Sequence, residues 1–274
     1  MAKHRLPSYF ISHGGGPWPW MKPQLKGAYD ELEASLQAVP RQLGQTPKAA
    51  LVISGHWEEP EFTVMAAPRP PMVYDYADFP AHTYEITYPA PGSPALADQV
   101  QTLIKAAGMP ARLDLQRGFD HGTFVPLFAI YPEAQVPVLQ LSLKSSYDPA
   151  EHLALGRALA PLRDEGVLII GSGLSYHNVR AFGPSGRAAS KDFDHWLQSA
   201  VVDSSPAERS RHLLDWASAP AARMAHPRED HLLPLMVAVG AAESESAQCV
   251  YHEADFFGNL TVSSFMFGEG RVPS

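Results

Sequence analysis

Five of the twelve histidines in this chain stand where folds tend to gather chemistry. His13 follows an apolar run and precedes Gly14, Gly15, Gly16 and Pro17. His56 closes a second such run in SGHWEE, and His177 follows a third in GSGLSYHN. His121 lies in GFDHGTF, read as a glycine-flanked loop, and His231 opens a helical pattern in HPREDHLLPL. Neutral imidazole ligates divalent metals, and its ordinary pKa lies near neutrality, so such a set suits a metal centre, acid–base catalysis, or both. One histidine at a strand end is more often a hydrogen-bonded structural residue. Five with the same placement favour a shared site.

Other chemistries fit less well. The chain has neither a zinc-finger spacing nor an HExxH helix, so metal ligands would come from distant segments. The glycines after His13 lack the Lys and Ser/Thr of a phosphate loop. GSGLS places Gly173 where a nucleophile elbow needs serine. Cys249, in CVYHEADFF, reads as a strand residue rather than a nucleophile. His4, His82, His226 and His252 read as ordinary, as do His152, His195 and His212 on charged helical faces.

Short apolar and β-branched runs predict strands over 6–12, 49–54, 62–65, 136–143, 167–171, 248–252 and 260–267. Helices are predicted over 22–37, 93–107, 149–165, 190–201 and 230–242. Strands that are apolar throughout suit a sheet covered on both faces. Their alternation with helices predicts one catalytic domain over 1–274, a layered α/β/α fold around a central mixed β-sheet. His13, His56 and His177 then fall at carboxyl ends of strands, where open sheets bind ligands. Segment 66–94 is rich in proline (Pro68, Pro70, Pro71, Pro89, Pro91, Pro94) and cannot be a regular helix or central strand. Tyr74, Tyr76, Phe79, Tyr84 and Tyr88 are interleaved with those prolines, which predicts an ordered loop over the site.

A formal charge of −8 argues against a nucleic-acid backbone or an anionic membrane as partner. The single cysteine permits no intrachain disulfide and fits the reducing cytoplasm. No apolar run is long enough for a signal peptide or a membrane span. A monomer or small homo-oligomer is expected.

In combination, ISHGGGP, ISGHWEE, DFPAHTYEITYPAPGSPALA, GFDHGTFVPL, PVLQLSL, GSGLSYHNVR and DHLLPLMVAVGAA resemble the class III extradiol ring-cleavage dioxygenases. The likeness is to the single-domain, LigB-type branch that includes DOPA 4,5-dioxygenase-like proteins. It implies non-haem Fe(II) and a catechol opened beside its hydroxyls with O2. Carried over by motif, it makes His13, His56 and His231 metal ligands, and His177 the acid–base residue, near enough in some members to ligate. It sets His121 on the substrate's hydroxyl or the bound oxygen. Tyr84 would stack on the ring. Two features depart from the pattern: HGGGP carries one residue more than the usual HGSP, and a histidine stands where better-known relatives have a glutamate ligand. Glu229 or Asp230 is the alternative carboxylate ligand, and Zn(II) suits a three-histidine site as well. Arg117 and Arg180 are candidates to hold a substrate carboxylate, with plain surface arginines as the simpler reading. The competing functions are a zinc hydrolase on the same histidines and a metal-binding protein without turnover.

Overall fold

The computed structural model describes residues 5–270, so His4 lies outside the described residues. Eight strands form one sheet: β1 (Ser8–Ser12), β2 (Ala49–Glu59), β3 (Phe62–Met65), β4 (Ala111–Asp114), β5 (Val138–Lys144), β6 (Val167–Gly173), β7 (Ala247–Phe256) and β8 (Leu260–Phe267). Their spatial order is β4-β3-β5-β2-β6-β1-β8-β7. The central four, β5, β2, β6 and β1, run parallel. β8 lies antiparallel to β1, and β7 pairs antiparallel with β8. On the other edge β3 is antiparallel to β5 and parallel to β4. This is the mixed sheet expected from late strands that follow one another without an intervening helix.

The sheet is covered on both faces, as the end of β6 shows. Successive strand residues point to opposite sides. Ser172 Oγ donates to the carbonyl of Gly122, in the helix His121–Ile130. Its neighbours Gly171 and Gly173 face the other way, where an added methyl would collide with the backbone of Pro234 and His231. The helix Leu233–Ala241 therefore packs on that second face, with every residue buried. Helices that are apolar all round belong inside a protein, and burying each large apolar side chain stabilises by about 1.5–3 kcal/mol. Gly240 and Gly156 let this helix touch Pro149–Leu159 at the backbone, since a Cβ on either would strike the partner helix.

Several expectations are corrected in detail. The helix predicted over 22–37 breaks at Lys26 and Gly27, both at positive φ, into Lys22–Leu25 and Asp30–Leu43. His121 is the first residue of a helix, with Asp120 at the N-cap, rather than a loop residue. His152 is not on a solvated face: it is fully buried, facing the Asp148 carbonyl at 2.7 Å and the Lys144 amide at 3.2 Å. Cys249 lies in β7 as expected. Among the described residues no helix is long and apolar enough to cross a membrane.

Candidate metal centre and active site

Each site histidine is positioned by an identifiable local device. His13 leaves β1 with its amide bonded to the Gly173 carbonyl (3.0 Å) and its own carbonyl accepting from Trp18 Nε1 (2.9 Å). Gly14 makes this possible: its φ is +80°, and a Cβ there would lie 2.7 Å from the Trp18 indole and 2.8 Å from Tyr29. The Tyr29 hydroxyl takes the Gly15 amide (3.0 Å), so the glycine run is a fitted turn. His56 sits where β2 loses register with β5, between Ile53 and Glu58. Gly122 leaves room for its ring, since a Cβ there would come within 2.9 Å of it. His231 precedes the buried helix Leu233–Ala241, and its carbonyl accepts from the Leu174 amide (3.2 Å), an approach that requires Gly173. His177 donates its amide to the Ala225 carbonyl (3.0 Å).

These five side chains meet in one basin at the carboxyl ends of β1, β2 and β6. The His13 ring centroid lies 5.0 Å from that of His56, 5.2 Å from His231 and 5.4 Å from His121. His56 and His231 are 4.6 Å apart, and His56 and His121 are 3.9 Å apart. His177 stacks on His231 at 3.4 Å. Two sets of donor atoms lie within 4.8 Å of one another: His13, His56 and His121, and His177, Asp230 and His231.

The donor set fits a divalent metal. Both ring nitrogens of His13 are buried without a hydrogen-bond partner, an arrangement that costs about 1–3 kcal/mol per group unless something else binds there. His56 Nε2 and His231 Nε2 lie 3.1 Å apart. That is close to the ~3 Å spacing of two adjacent ligands at metal–nitrogen bonds of ~2.0–2.1 Å. Burial, reinforced by the neighbouring imidazoles, holds His13 and His56 well below the ordinary histidine pKa and brings His231 down to about 4. The rings are thus kept neutral, as ligation requires.

Two carboxylates buttress these histidines. Asp230 Oδ1 lies 3.1 Å from His231 Nδ1 and 3.7 Å from His177 Nδ1. Burial alone would raise its pKa, but the two imidazoles hold it well below the usual carboxylate range. Asp75 plays the same part for His121 and His56, and sequence inspection missed it. No local pattern marks it, because the His121 it binds is 46 residues away. Glu229, the other acidic candidate, turns to Arg223 (2.6 Å).

A cavity of about 410 Å³ opens above the histidines, walled by Gly14, Gly15, Gly16, Tyr29, Leu174, Val179 and Phe182. None of its lining residues comes from the 66–94 loop. That loop packs behind His56 and His121 and sets Phe79 against Gly16, instead of roofing the cavity. Tyr84 is set back from the substrate space, with its ring packed on Tyr76 at 5.4 Å and Tyr74 at 6.1 Å. Tyr76 is the tyrosine that reaches His121 (5.9 Å). Arg117 is engaged internally, paired with the buried Asp120 (2.8 Å) and lying over Trp57. Arg180 is exposed and lies in sequence between Val179 and Phe182, which line the cavity.

Comparison with known proteins agrees with this geometry. Residues 7–267 match the family model described as the catalytic LigB subunit of aromatic ring-opening dioxygenase. A Beta vulgaris 4,5-DOPA dioxygenase extradiol is 39% identical over 265 residues, covering 95% of this chain and 96% of that protein. An Escherichia coli (strain K12) protein of the same name is 32% identical over 277 residues, covering 98% and 97%. The crystal structure of an uncharacterised Escherichia coli K12 protein superposes with a TM-score of 0.76 at 30% identity, covering 96% of this chain and 100% of that one. With a histidine-lined metal basin at the strand ends and a family match across nearly its whole length, the chain belongs to the LigB family of aromatic ring-opening dioxygenases and is an extradiol, metal-dependent member of it.

Proposed function

We propose that this dioxygenase opens a catechol ring with Fe(II) held by His13, His56 and His231, with His177 as acid–base residue and His121 on a substrate hydroxyl. The observation that carries the reading is His13, whose two ring nitrogens are buried, partnerless and surrounded by three further imidazoles. When bound, the iron supplies a redox-active Lewis acid that holds the catecholate and activates dioxygen. Zn(II) suits the same ligands without the redox chemistry.

The rest falls to the protein. His177 lines the cavity with Asp230 behind its Nδ1, so its Nε2 is the atom that takes the proton from one catechol hydroxyl. The same imidazole returns that proton during ring opening. His121 is tied through Nδ1 to Asp75 (2.9 Å), which leaves Nε2 for the second hydroxyl. Leu174, Val179 and Phe182 give the ring an apolar wall to pack against. The carbon–carbon bond beside the hydroxyl pair breaks, and both atoms of O2 enter a muconic semialdehyde-type product.

The relatives named for DOPA put that compound on the substrate panel, beside caffeate, protocatechuate and gallate. We place the enzyme, acting as one domain in a monomer or small homo-oligomer, in a reducing cytoplasm, in keeping with its single cysteine. The test is oxygen uptake by protein loaded anaerobically with Fe(II). One O2 consumed per catechol, with a ring-opened product, is expected for at least one panel member. Full iron content with no uptake on any catechol overturns the reading.

A further inference from the structure

We propose that Asp75 is a positioning residue that sets the tautomers of His56 and His121 together, so that the Nε2 atoms of both rings present lone pairs to the metal basin. This rests on the metal reading above. Asp75 Oδ1 accepts two hydrogen bonds from His121, one from its backbone amide (2.9 Å) and one from ring Nδ1 (2.9 Å). Its second oxygen, Oδ2, lies 3.3 Å from His56 Nδ1. A carboxylate only accepts, so the His121 Nδ1 bonded to it carries hydrogen, and the same negative charge 3.3 Å from His56 Nδ1 favours hydrogen there too. Each ring then keeps its lone pair on Nε2. His56 Nε2 is the atom that approaches His231 Nε2 to 3.1 Å. One side chain therefore orients two imidazoles toward one point, as outer carboxylates do for ligating histidines in general.

Asp75 is held firmly enough to do this. The Tyr74 hydroxyl donates to the Ile86 carbonyl (2.7 Å) and that of Tyr76 to the Thr83 carbonyl (2.5 Å), fixing the chain on either side. The same loop is joined by backbone bonds to the segment that carries His121: Phe119 donates to Pro71 (2.9 Å) and Val73 to Phe119 (2.8 Å). A Cβ on Gly118 would collide with the Pro71 carbonyl, so the two strips lie against each other. The carboxylate and the helix start it serves thus move as one piece.

Asp75→Asn separates this role from packing. The amide is nearly the same shape but has a single acceptor oxygen. The two donors of His121 retain that oxygen, and the NH2 then faces His56 Nδ1. His56 must accept there and carry its hydrogen on Nε2, the atom aimed at the basin. The measurement is long-range 1H–15N correlation of the histidine rings in metal-free protein, with zinc affinity by chelator competition alongside. Wild-type His56 and His121 are expected to be protonated on Nδ1. Asp75→Asn should switch His56 alone and lower zinc affinity ~10–100-fold. Wild-type His56 with its hydrogen on Nε2 overturns the proposal without any variant. So does an unchanged His56 pattern or unchanged zinc affinity in Asp75→Asn. No arm contains catechol or oxygen, so a failure of ring cleavage leaves this result standing, and the reverse holds too.

Discussion

At the scale of single residues, the proposed roles separate binding from proton transfer. His177→Ala should retain iron, since His13, His56 and His231 remain, and should lose ring cleavage by ~10²–10⁴-fold, the usual contribution of a general acid–base group. Part of the loss should return at high pH, where the catechol ionises unaided. Iron lost together with activity, with no recovery at high pH, would make His177 a ligand instead. Its stacking at 3.4 Å on His231 is what makes that comparison necessary. His152 and His226 serve stability rather than catalysis. Burial lowers them from 6.5 to about 4 and about 3, so the unfolded chain takes up their protons first as pH falls. Their stabilisation is complete above pH 6.5 and is lost progressively down to their folded values. Urea midpoints measured from pH 7 to 4 should fall on that slope, on the order of 1 kcal/mol per pH unit per group. The histidines of the basin could be picked out because each follows an apolar run or stands beside glycines or a helix start. Asp75 could not, since only the folded loop brings it to His56 and His121.

At the scale of elements, the glycines that end β6 matter as much as the ligands. Gly173→Ala would drive a methyl into the His231 carbonyl. The expected outcome is ~1–3 kcal/mol of destabilisation, typical of overpacking, together with reduced zinc content. Normal zinc stoichiometry and an unchanged urea midpoint would show that the His231 segment can retreat. GSGLS gave no sign of this role in the sequence, because a close backbone approach is a property of two segments at once. The helix His121–Ile130 was illegible for a different reason: HGTFVPLFAI is apolar on every side, so it lacks the periodicity that marks a surface helix. β4 was missed because ARLD is four residues long and mostly half-buried. The strands that were read best, such as Leu260–Phe267, are uniformly buried and bounded by polar turns.

At the scale of the whole molecule, parallel strands β1, β2 and β6 deliver three histidines to one end of the sheet, so the metal should tie distant parts of the chain together. Zinc in excess should raise the unfolding free energy by ~2.7 kcal/mol at a hundred times its dissociation constant, read as a higher urea midpoint. His13→Ala should abolish that gain and the bound metal while leaving the circular dichroism of the fold intact. An undiminished zinc effect in His13→Ala would remove His13 from the ligand set. The charge of −8 is a property of the same scale and bears on solubility, not on where the site forms.

The backbone bonds between Pro71, Val73 and Phe119 carry a consequence for traffic through the enzyme. A strip laced to the segment just before His121 holds that ring from behind, and backing of this kind does not swing aside for each turnover. The exposed apolar side chains of the cavity lining lie elsewhere, at the turn where Val179 is 72% exposed and Phe182 37% exposed. Entry and exit over those two side chains is the route this predicts. Val179→Trp should therefore slow the approach of bulky catechols, lowering kcat/KM for caffeate more than for unsubstituted catechol. Equal losses for both substrates in steady-state oxygen uptake would place the entrance elsewhere.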